Sequence, residues 1–148
     1  MKKYSLVVLG LMVLCLVGCG KQSPDGAKFK SNPAAEQAAS MSAQAWLDLV
    51  DAGSYAKSWE DTAAAFKAAV SQADWEKTAR AVRAPLGKMV SRKIKSQQYA
   101  TALPGAPDGE YVVIQYATTF ENKAEAVETV TPMLDKDGQW KVSGYYIK

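Results

Sequence analysis

The hydrophobic period of this chain changes at Gly87. Before it, large apolar residues recur at helical spacing; after it they alternate, as in half-buried strands. A chain that spends its helices first and its strands second builds no βαβ units. It packs the helices against an antiparallel sheet, an α+β arrangement.

The helical half divides into three. From about Ala34 to Ala52, Met41, Ala45, Leu49 and Ala52 fall on one stripe with Trp46 and Val50 beside them, and Gly53 stands where a C-terminal cap belongs. Ser54 is placed to cap a second helix whose stripe is Tyr55, Trp59, Ala63, Phe66 and Val70. Ser71 and Asp74 have the spacing of a capping box, with Asp in place of Glu. They open a third helix carrying Trp75, Ala79 and Val82, which Pro85 and Gly87 end.

The period-2 half predicts four strands: Lys88–Leu103, Glu110–Glu121, Ala124–Leu134 and Gln139–Ile147. Val112, Ile114, Tyr116, Thr118 and Phe120 form one face of the second. Pro104–Gly109 is a turn by composition, Asn122-Lys123 a short hairpin, and Asp137-Gly138 the dipeptide of tight turns. In the last strand Trp140, Val142 and Tyr146 fall on one side. The expected fold is therefore three helices on a four-stranded antiparallel sheet over residues 34–148.

Residues 1–18 read as a secretory signal: Lys2 and Lys3, an apolar run from Leu6 to Val17, and Gly18 before a cleavage point. The run is short for a span, which needs roughly 20 apolar residues. Leu16-Val17-Gly18-Cys19 resembles the lipobox of bacterial prolipoproteins. That resemblance implies a diacylglyceryl thioether on Cys19, an acylated amino terminus, and a membrane as the first partner. Gly20, where Asp would favour retention at the inner membrane, implies the outer membrane facing the periplasm. Residues 19–33, rich in turn formers and charges, read as a tether.

Cys15 leaves with the signal and Cys19 takes lipid, so disulfides and cysteine metal sites are not expected. Subtracting Lys2 and Lys3 from the formal charge of +3 leaves the mature chain close to neutral, which argues against nucleic acid. With no His in the chain, the Ser-His and Cys-His systems and most zinc sites are also excluded. No cofactor is expected.

Carboxylates are then the acid-base groups that remain. Glu128 is a charge in mid-strand, and Tyr116 shares a face with Val112, Ile114 and Phe120, so the two form a candidate pocket pair. The register decides it. Ala126, Glu128, Val130 and Leu134 form one face, Val127, Thr129, Thr131 and Met133 the other, and if the second set turns inward Glu128 is merely solvated. Arg80, Arg83, Lys88, Arg92, Lys93 and Lys95 make a basic region that could meet anionic head groups or be an ordinary solvated face. Trp46, Trp59, Trp75 and Trp140 read as core before ligand contacts.

Trp46, Leu49–Tyr55, Ser58-Trp59, Phe66, Trp75, Arg83–Gly87, Ser91-Arg92, Gly109–Val113, Phe120-Glu121, Glu128-Thr129 and Trp140–Tyr145 together resemble the bacterial family catalogued as domain of unknown function 4019. The likeness runs over nearly all of Ser40–Ile147 and implies no activity. Helices leading into a curved antiparallel sheet are more distantly similar to the nuclear transport factor 2-like cone, which implies a curved sheet with a concave face. The expectation is a lipid-anchored, non-enzymatic envelope module that binds a small molecule or an envelope protein through that face. The alternatives are an isomerase- or dehydratase-like enzyme using a carboxylate and Tyr, and a purely structural component.

Overall fold

The computed structural model describes residues 27–148. The signal, Cys19, Gly20 and the tether as far as Gly26 lie outside the described residues. The chain runs β1 (Phe29–Lys30), α1 (Pro33–Asp51), α2 (Tyr55–Glu60), α3 (Ala64–Ala69), α4 (Gln72–Arg83), a single 3-10 turn (Ala84–Leu86), β2 (Met89–Ala100), β3 (Tyr111–Phe120), β4 (Lys123–Leu134) and β5 (Trp140–Ile147). The strands make one antiparallel sheet in sequence order, curled into a half-barrel with the helices packed against it.

The α+β class and the period switch at Gly87 are as expected, but the element count is not. A fifth strand, β1, pairs Phe29 with Ala100 and Lys30 with Tyr99. The stretch read as a tether thus ends docked on the sheet; two residues between turn formers carry no periodicity to reveal it. The single second helix is in fact α2 and α3. The chain breaks at Asp61–Ala63 because tertiary bonds capture its backbone: Ala63 N–H donates to the Val142 carbonyl (2.9 Å) and Ala64 N–H to the Asp135 carboxylate (3.1 Å). Thr62 completes the break by folding its hydroxyl onto the Trp59 carbonyl at 2.7 Å.

Helix α1 lies against β2, β3, β4 and β5. Its core stripe is Ala35, Ala39, Ala43, Trp46, Leu47 and Val50, not the Met41–Ala45–Leu49 row; Met41 is 63% exposed. Three alanines let the helix backbone approach the sheet, and size alone misdirects a hydropathy count toward Met41. Ser71 caps α4, its hydroxyl accepting from Asp74 N–H at 3.2 Å and donating to the Asp74 carboxylate at 2.7 Å, in place of the reciprocal backbone bond of a full capping box. At Gly87 (φ +74°) the chain turns from helix to sheet, and a Cβ there would come within 2.9 Å of Glu121.

All five expected inward residues of β3 are buried, and on β4 the buried set is Ala126, Glu128, Val130 and Pro132. On β5, Ser143 is an extra residue between the Thr131–Gly144 and Pro132–Val142 pairs. This bulge reverses the side-chain alternation. Tyr145 therefore faces the core with Trp140 and Val142, while Tyr146, expected on their side, is exposed.

Candidate functional site

Four charged side chains from four elements meet under the curled sheet. Asp51 ends α1, Arg83 ends α4, Arg92 points inward from β2, and Glu128 points inward from β4. Glu128 has no solvent exposure. Its Oε1 accepts from Arg83 Nη1 (3.2 Å), Arg92 Nη2 (3.2 Å) and the Tyr145 hydroxyl (2.6 Å). Its Oε2 accepts from Arg92 Nε (2.7 Å) and the Thr118 hydroxyl (2.6 Å). Arg92 also grips both oxygens of Asp51, and Arg83 bonds Asp51 and the Tyr145 oxygen. Two guanidiniums thus face two carboxylates, and the knot is neutral.

Local structure explains the placement. Arg83 in the last turn of α4 sits at the negative end of the helix dipole, a favourable position, while Asp51 at the end of α1 does not. The two arginines offset that cost. Arg83 also lies 4.7 Å over the Phe120 ring. Among the described residues, no buried side-chain nitrogen or oxygen lacks a hydrogen-bond partner, which is the condition for burying charge without a large penalty.

The knot is built to hold charge in place. Five hydrogen bonds from the protein occupy both oxygens of Glu128. Burial pushes the Tyr145 phenol up, and the adjacent Glu128 charge pushes it further, well above its ordinary value of 10.0. Burial raises the Asp51 carboxyl, but Arg92 and then Arg83 outweigh it and hold the group below its ordinary 3.8. A depressed carboxylate contributes stability above its unfolded-state pKa and loses it as pH falls through the folded-state value. Urea midpoints of the full chain should therefore fall steeply below about pH 4. Asp51→Asn, already weaker near pH 7, should lose less over the same interval.

Tyr116 and Glu128 are register partners across β3 and β4, so they share the inward face. They do not form one pocket. Glu128 turns into the knot, and Tyr116 lines an open groove of about 430 Å³ between α1 and β2. Gln37, Ser40, Met41 and Gln44 make its α1 wall, and Arg92, Ile94 and Gln97 its β2 wall. Ser40 bridges the walls by donating to the Gln97 amide oxygen at 2.8 Å. Burial and the Glu128 charge raise the Tyr116 phenol against the opposing effect of Arg92.

The six basic residues do not make one surface. Arg83 and Arg92 are buried in the knot, with side chains 6% and 4% exposed. Arg80 is exposed and stacks over Tyr55. Lys88 lies just before β2, its N–H donating to the Glu121 carboxylate. Only Lys93 and Lys95 stand together, beside the outer face of the sheet. Periodicity could not separate them, because an inward Arg on an edge strand reads like any solvated charge until its partners are known. Asp51, Thr118 and Tyr145 were not singled out by sequence; the available signal was an Arg on β2 and a Glu on β4, both at inward parity.

Trp46 and Trp75 are core residues, and Trp59 and Trp140 are half-buried against them.

A family model described as Protein of unknown function (DUF4019) matches residues 42–145. No curated protein and no solved structure matches the chain.

Proposed function

Since the chain belongs to the family of proteins of unknown function DUF4019, we propose its role from its own residues: a lipid-anchored cell-envelope protein, non-enzymatic, that binds a small molecule or a protein through the groove between α1 and β2. The observation that carries the binding role is the groove itself. On its β2 wall Arg92 is held by the knot, beside buried Tyr116, while Met41 and Ile94 on its walls are 63% and 51% exposed. Apolar side chains held in water on either side of fixed polar groups are what a binding surface presents.

Two further observations support the rest. Both oxygens of Glu128 are occupied by hydrogen bonds within the protein, which speaks for a non-enzymatic role. The Lys2-Lys3 start, the apolar run and the Leu16–Cys19 lipobox support anchoring through Cys19 at the outer membrane, facing the periplasm.

The test is made in cells with the full chain. A photo-crosslinking residue at Met41 or Ile94 should give a discrete adduct, and the same residue at Thr129 on the outer sheet face should not. A fatty-acid label should enter the wild type and not Cys19→Ser. Equal adducts at all three positions would remove the groove, and equal labelling would remove the anchor.

A further inference from the structure

We propose that the groove takes an extended peptide that adds as a strand to the edge of β2, with apolar side chains turned inward and acidic side chains turned outward. The proposal rests on the groove being the binding surface and names its occupant.

β2 is the outer strand of the sheet over nearly all its length, since β1 pairs only with Tyr99 and Ala100. On the side away from β3, Ser91–Ser96 therefore presents backbone N–H and C=O groups that no neighbouring strand takes. Such an edge is a template for a further strand. Directly beside it runs α1, with Gln37 and Gln44 one heptad apart on the groove wall. A strand lying along Ser91–Ser96, short of the Ser40–Gln97 bridge, would bond to β2 on one side and meet Gln44 of α1 on the other.

Side-chain alternation then sets the peptide's chemistry. Its inward residues meet Ile94 and Met41, and near the start of the strand Val90, which is 63% exposed. Its outward residues come up beside Lys93 and Lys95. Neither lysine has a carboxylate within 4 Å among the described residues; the acid that shares their outer face is Glu125, with Lys148 beside it. Acidic outward residues pair with these lysines. A second copy of the chain fits worse, because antiparallel pairing of two β2 edges brings lysines of both copies together, and like charges across strands destabilise. Bulges at Val90 and Lys95 interrupt the edge and limit the paired stretch to a few residues.

The experiment is a fluorescence anisotropy titration of the full chain in mild detergent with four labelled peptides of about nine residues. They are alternating Val and Glu, alternating Val and Lys, a scrambled Val/Glu sequence, and the first peptide N-methylated along one backbone edge. The Val/Glu peptide should bind. The Val/Lys, scrambled and N-methylated peptides should each bind on the order of tenfold or more weakly. The exposed double variant Lys93→Glu, Lys95→Glu should invert the preference between the Val/Glu and Val/Lys peptides. Equal binding of the N-methylated peptide, no inversion, or no binding at all, as when a second copy already covers the edge, overturns the proposal. Adducts at Met41 and Ile94 with failure here would leave the groove as a binding surface and remove the strand.

Discussion

Replacing Glu128 by Ala should cost about 3–5 kcal/mol of folding stability, because it strands two buried guanidiniums on a single carboxylate. The magnitude follows from burial and connectivity. Glu128 is completely enclosed and joins β4 to α4, β2, β3 and β5 through Arg83, Arg92, Thr118 and Tyr145. Domains of this kind hold about 5–15 kcal/mol in all, so the variant should unfold at much lower urea. Glu128→Gln keeps the shape and some hydrogen bonds but removes the charge, and should fall between wild type and Glu128→Ala. An Ala variant within about 1 kcal/mol of wild type would mean that the carboxylate is solvated, as exposed ion pairs are.

Trp46→Ala should be of similar size, about 3–5 kcal/mol. Trp46 is 3% exposed and its ring centroid lies 5.6 Å from that of Trp75 and 5.2 Å from that of Tyr145. The substitution leaves a cavity between α1 and the sheet. It also removes the indole N–H that bonds the Ser58 carbonyl at 2.8 Å, in the same place where the Ser58 hydroxyl accepts from the Trp75 indole. Trp46→Phe refills most of the space and should recover about half of the loss. Half-buried Trp59 serves as the comparison: its Ala variant should cost clearly less. Thermal unfolding of the three variants checks the order, and a Trp59→Ala loss equal to that of Trp46→Ala would misplace the core.

The architecture was largely legible because hydrophobic period reports burial directly. β3 is the clearest case, where Val112, Ile114, Tyr116, Thr118 and Phe120 all turn inward as their alternation predicts. What sequence did not show is where burial and hydropathy part company. The core face of α1 is lined by Ala35, Ala39 and Ala43, too small to register, while Met41 draws the eye and lies in the groove. Alternation alone puts Tyr146 on the side of Trp140 and Val142, because a one-residue bulge at Ser143 leaves no mark in composition. β1 and the α2–α3 break depend on bonds to distant strands.

The candidate site was half legible. Glu128 and Tyr116 do lie side by side on the inward face, as one of the two registers predicts. Their assignment to one pocket fails because two arginines, read from the sequence as surface charges, reach inward and enclose Glu128. Charge pairing across elements far apart in sequence is set by topology, and that becomes visible only once strand order and helix ends are known. The consequence is a division of labour. The enclosed knot fixes Arg92 on the β2 wall of the groove, and Met41 and Ile94 on the two walls stay exposed.

The enclosure of the knot is the point on which this division rests, and the Arg92 Nε–H that donates to Glu128 at 2.7 Å reports it directly. In protein labelled with ¹⁵N-arginine near neutral pH, that proton should give a resolved resonance exchanging with water on the order of 100-fold more slowly than that of exposed Arg80. The protection should collapse in Glu128→Gln. Exchange of Arg92 as fast as that of Arg80 in the wild type would contradict it, and would return Glu128 to water and to the list of reactive carboxylates.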